Sequence, residues 1–98
     1  MSQSYVRFHT EEPPGMELSL RPDVTISVIS TGKADGTVEA VLLDGQRGVY
    51  GGVCWTGLSA YDLLYLFVTV NCASGLQDAA ERLSRVEHLK QFAQNWEG

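Results

Sequence analysis

The residues with which this chain could do chemistry are two cysteines, two histidines and a scatter of carboxylates. Cys54 is the best-placed nucleophile. It stands beside Trp55 at the end of a β-prone run and just ahead of a helix start, and a helix N-terminus lowers a thiol pKa. Such a thiol needs a base, His88 or His9, and an acid such as Asp62 or Asp44 to orient that base. No local motif joins these residues, and a strand cysteine next to an aromatic is ordinarily a core residue, so the sequence favours a structural role for Cys54. Glu39, Asp44 and Asp62 could form an acid/base pair at one end of a sheet, but isolated acids at turns and caps have structural work of their own.

Other chemistries find less support. Cys54 and Cys72 form no Cys-x-x-Cys pair and the histidines lie near opposite ends of the chain, so no zinc set is evident and no metal or cofactor is expected. The run GQRGVYGG has glycines without the spacing, the lysine or the strand-to-helix setting of a phosphate loop. Both cysteines lie in apolar stretches and read as buried thiols in a reducing compartment. His9 and His88 read as solvated side chains.

The elements that must position these groups follow from periodicity. Leu58 to Val70 is apolar on nearly every face and is expected at the centre of the domain. Ser59 and Asp62 match a capping box, and Tyr61, Leu64, Tyr65 and Val68 fall on one helical face, so this stretch is predicted helical against a rival strand reading. Before it, strands are predicted over residues 4–9, with one buried face, over 17–20, and over the run from Val24, where Val24, Ile26 and Val28 share a face. Further strands follow over 37–43 and 49–56. Asp35-Gly36 and Asp44-Gly45 mark tight turns, and Gly51-Gly52 marks a bulge or a close approach. After a second capping pattern at Ser74 and Gln77, a continuous helix is predicted over residues 76–96, with Asp78/Arg82 and Glu81/Arg85 pairs on its wet side. The expected fold is α+β: an antiparallel sheet of four to five strands followed by two C-terminal helices packed on one face, a single domain over residues 1–98.

With 98 residues, 44% of them hydrophobic, the chain can bury a real core without metal or disulfide staples. Twelve acids against seven bases give a net charge of −5. That field repels phosphate backbones and favours a basic protein surface, which argues against direct nucleic-acid binding. The N-terminal MSQSYVRFH is not a secretory leader and the longest apolar run is too short to span a bilayer, so a cytoplasmic location without membrane contact is expected.

These features imply a small acidic, non-enzymatic protein-binding module that modulates or inhibits a basic or nucleic-acid-handling partner. Small phage-borne inhibitors and immunity proteins share this makeup as a class. The predicted contact residues are Glu11, Glu12, Asp35, Glu39 and Asp44, with Tyr50 and Trp96 as exposed aromatics. Two alternatives stand beside this reading. One is a small-molecule site or cysteine-dependent enzyme between the Gly51-Gly52 strand and the central helix, with Cys54, Trp55 and Tyr61 on its wall. The other is an assembly protein forming a homodimer through the terminal helix or a sheet edge.

Overall fold

The computed structural model describes residues 5–10, 14–21, 23–30, 35–44 and 48–96, without the side chains of Tyr5, His9, Leu20 and Arg21. Alternating β-branched and polar residues build five consecutive antiparallel strands: β1 (Tyr5–His9), β2 (Gly15–Arg21), β3 (Val24–Ser30), β4 (Val38–Leu43) and β5 (Val49–Leu58). Three helices follow, α1 (Ala60–Asn71), α2 (Leu76–Arg85) and α3 (Glu87–Lys90), and then a short strand β6 (Ala93–Asn95). Strand order in the sheet is the order in the chain, β1 to β6. Among the described residues the sheet therefore has six strands where four or five were expected, followed by three helices where two were expected.

Register decides which side chains meet the helices. Leu18 pairs with Ile26 and Ile26 with Leu42, while Met16 pairs with Val28, Val28 with Ala40 and Ala40 with Trp55. These residues pack with Leu66, Val70, Ala79, Leu83 and Leu89 of the helices into one core, in which Ile26, Leu42 and Leu66 are fully buried. The alternate residues Val41, Leu43 and Cys54, with Val49 against them, form a separate small cluster on the opposite face. At Gly15 a Cβ would lie 2.2 Å from the Val28 carbonyl oxygen, so the β2–β3 pairing requires glycine there. In β5 the register jumps from Val41 opposite Cys54 to Leu43 opposite Val49. The extra residues form a bulge in which Gly51 and Gly52 take φ of 75° and 66°, a conformation open to glycine at little cost.

Five expectations change. The strand predicted over residues 4–9 buries none of its described side chains: Val6 and Phe8 of β1 are 51% and 74% exposed and Arg7 is exposed, β1 being an edge of the sheet. Of the segment from Leu58 to Val70, Leu58 closes β5 and is fully buried, Ser59 is the N-cap, and the helix predicted there runs from Ala60 with only its Asp62, Leu66 and Val70 side buried. Cys72 caps the end of α1 and is exposed, while Cys54 is buried; no disulfide joins them. The predicted helix over residues 76–96 breaks at Val86, whose φ −80° and ψ 105° are extended, and after the single turn of α3 the chain re-enters the sheet as β6. The Ser74 and Gln77 cap is also replaced: Gly75 is the N-cap of α2, the Asp78 carboxylate accepts from the Ser74 N–H at 2.8 Å, and Asp23 accepts from the Leu76 N–H at 3.1 Å.

Candidate functional site

The outward side of α1 is the most unusual surface of the described residues. In a helix sequence whose only charged residue is Asp62, the side chains turned to solvent are Tyr61 (66% exposed), Leu64 (58%), Tyr65 (42%) and Val68 (53%). They sit one and two turns apart over a helix roughly 18 Å long. A shallow hollow of about 340 Å³ runs along them, with Thr69 at its edge. The Thr69 hydroxyl donates to the Tyr65 carbonyl oxygen at 2.9 Å, so its polarity is directed back into the helix.

The charge that α1 does carry is turned inward and used. Ser59 and Asp62 close a reciprocal capping box: the Ser59 N–H donates to Asp62 Oδ2 at 2.9 Å and the Asp62 N–H donates to Ser59 Oγ at 3.3 Å. The other carboxylate oxygen, Oδ1, meets Nε2 of His88 from α3. Burial works to raise the Asp62 pKa, but the hydrogen bonds from Ser59 and the His88 ring outweigh it and hold the carboxyl below its ordinary value. The His88 ring is enclosed by aromatic neighbours, with centroids at 5.4 Å from Tyr65, 5.9 Å from Tyr61 and 6.0 Å from Phe92. This cluster fixes α3 against the first turns of α1 and sets the pose of the two exposed tyrosines.

The sequence-derived candidates are placed as follows. His88 and Asp62 do come together as a histidine and its orienting acid, but Cys54 belongs to the cluster on the other face of the sheet, so the thiol and the imidazole are not assembled into one site. The Ser59 hydroxyl donates to Asp62 at 2.8 Å rather than to His88. Among the described residues, no group of three or more His, Cys, Asp or Glu side chains comes together as a metal site would require.

Of the predicted contact acids, Glu11 and Glu12 lie outside the described residues. Asp35 precedes β4 and accepts from the Thr37 N–H at 3.0 Å; Asp44 follows β4 and accepts from the Gly48 N–H at 2.9 Å. These two therefore stand at opposite ends of one strand, about 20 Å apart for six residues of extended chain. Glu39 is half-buried in β4 opposite Ile29. Tyr50 is half-buried beside the β5 bulge, and Trp96 is 41% exposed after β6.

Sequence reasoning named Tyr61, Leu64, Tyr65 and Val68 as a helical face and assigned it to the interior. No local signal reverses this, because the capping box is satisfied within α1 and the side that turns inward is chosen by the contact of Asp62 with His88. Comparison with protein-family models, curated protein sequences and solved structures returns no match, so the functional reading stands on geometry alone.

Proposed function

We propose that this chain is a non-enzymatic protein-binding module that modulates or blocks a partner, docking through the outer face of α1. The observation that carries this reading is the row Tyr61, Leu64, Tyr65 and Val68, four large side chains exposed on a helix whose one charge is buried. Tyrosines are enriched at interface centres, because each ring buries much area with few torsions to fix, and a contiguous exposed apolar row beside them marks a contact surface. The net charge of −5 lies outside this face and would steer a partner whose apolar contact is rimmed by lysine and arginine. No helix of the described residues is long and apolar enough to cross a membrane, which is compatible with docking on a protein from the aqueous side. The cytoplasm, where both cysteines would stay reduced, is the compartment this reading favours.

The test uses three baits in host lysate at low and physiological salt: the wild-type chain, a Leu64→Glu/Tyr65→Glu variant, and an Arg82→Glu control on α2. The expected result is one basic protein held stoichiometrically by the wild type and the control and lost with the α1 variant. Equal retention by all three baits, or no retained protein, overturns the proposal. A wild-type mass in solution of twice the chain, returning to one chain in the α1 variant, would instead assign the face to a second copy of the same protein.

A further inference from the structure

A second concave feature lies on the other side of the helical layer from the exposed row of α1. Between β5 and the α2–α3 break is a cavity of about 270 Å³. Its floor is Val53 and Trp55 of β5, its roof is Ala80 and Leu83 of α2, and its rim carries Tyr50, Ser84 and Lys90. The space exists because small residues face one another across it. Gly51 enters through the bulge, where a Cβ would meet nothing within 4 Å, and Ala80 and Ala93 oppose it from α2 and β6. A cavity of roughly 150 Å³ with apolar walls stays dry and accepts a benzene ring, so this one has room for about two fused rings. Walls of this kind offer water few partners and favour an apolar occupant.

The rim adds direction. Lys90 is the one charged residue among the described residues that line the cavity. Its ammonium donates to Glu87 Oε1 at 2.9 Å, in a pair whose carboxylate side chain is 86% exposed. Exposed pairs of this kind contribute little, so an incoming carboxylate can compete with Glu87 for Lys90 at small cost. The Ser84 hydroxyl on the same rim donates to the Glu81 carbonyl oxygen at 2.6 Å, which leaves the Lys90 ammonium as the group that directs a carboxylate there.

We propose that this cavity is a binding site for a small aromatic carboxylate, its rings between Trp55 and Ala80 and its carboxylate on Lys90. The site is separate from the α1 face and does not depend on the docking role proposed for it.

The test is a titration of the intact chain with 2-naphthoate, followed by two-dimensional amide NMR. Saturable binding is expected, with shifts centred on Gly51, Val53, Ala93 and the Trp55 indole. The neutral 2-naphthol should bind about fivefold more weakly, the scale of an exposed charge pair, and Lys90→Gln should remove that difference. Ala80→Phe should fill the space and abolish binding. Where that variant fails to fold, Ser84→Phe, at an exposed rim position, serves the same purpose. No saturable shift at millimolar probe, shifts centred on Tyr61 and Leu64, or unchanged binding in a folded cavity-filling variant would overturn the site. Equal affinity for naphthoate and naphthol in the wild type would overturn the assignment to a carboxylate.

Discussion

The two longer helices belong to one layer and share one core, yet they show water opposite kinds of surface. α2 buries Ala79 and Leu83 and exposes Glu81, Arg82 and Arg85, which it closes onto itself through i, i+4 pairs: Arg82 with Asp78 at 3.0 Å and Arg85 with Glu81 at 3.7 Å. α1 buries Leu66, Val70 and its single acid, and exposes two tyrosines, a leucine and a valine. The difference shows where polarity was spent. On α2 the charges are on the outside, where solvated pairs add little stability and keep the face wet. On α1 the one charge is inside, where it caps the helix and binds α3, leaving an outer face suited to contact with another molecule.

The largest effect should come from giving α1 the character of α2. Leu64→Glu with Tyr65→Glu is expected to weaken partner binding about 100-fold, or about 2.7 kcal/mol, while the chain stays folded and the unfolding midpoint falls only by the lost Tyr65–His88 ring contact. Glu81→Lys with Arg85→Glu on α2 should change affinity less than about twofold, because rim-type charges alter binding weakly. A comparable loss from both pairs would erase the distinction between the faces.

Next in size is the loss of the inward charge. Asp62→Ala removes the cap of α1 and its link to His88, and should lower stability by about 2 kcal/mol in urea unfolding. Amide exchange should quicken in both α1 and α3. Asp78→Ala on α2 should shift the midpoint clearly less, since that half-buried carboxylate bonds to Ser74 and Arg82 beside it and, among the described residues, links no second helix.

A gentler perturbation of the same group is pH. Because Asp62 is held below the ordinary carboxylate value of 3.8, the unfolded chain binds its proton more readily than the folded one. Its contribution is therefore complete above about pH 4 and disappears as the pH falls through the lowered folded value. Urea midpoints measured down through that range should fall, and the part due to this group should be missing in Asp62→Asn.

The smallest effect concerns steering. Asp35→Lys with Glu39→Lys, near one end of β4, and Asp44→Lys at the other should each slow association only about two- to fivefold and flatten its salt dependence. Similar slowing from both ends would assign these acids to the general field. A much larger loss from one end would bring that end into the contact itself.

Much of the scaffold could be read from the chain because local chemistry and global fold agree there. Ser59 and Asp62 announced the start of α1, Val24, Ile26 and Val28 announced the inner face of β3, the double glycine announced the bulge of β5, and the charge pairs of α2 formed as spaced. What could not be read was set by tertiary contacts. α1 is apolar nearly all round, so periodicity identifies a helix without choosing which side turns inward; the link between Asp62 and His88 makes that choice. The sequence Ala93-Gln94-Asn95 has little strand preference, and its conformation is imposed by the open edge of β5 at Val53 to Trp55. The apolar stripe that predicted one helix through residue 96 holds as far as Leu89, so the break at Val86 left no mark in the pattern.

The re-entry of β6 has a kinetic meaning. Every other pairing in the sheet joins strands that are neighbours in sequence, so β1 to β5 can assemble by closing short loops. β6 reaches β5 only across residues 59–92, and is held there by the pairings of Val53 to Trp55, the Phe92 carbonyl accepting from the Thr56 N–H at 2.9 Å and the Trp96 N–H donating to the Gly52 carbonyl at 2.6 Å. The helical layer is thus one long loop that packs on the sheet through Leu66, Val70, Ala79, Leu83 and Leu89 and has its far end pinned by three strand residues. Closing that loop costs more chain entropy than any hairpin in the meander, and it should be the last step of folding and the first to open. Amide exchange at β6 would then run ahead of exchange in α1, α2 and the inner strands, which share one core and should open together.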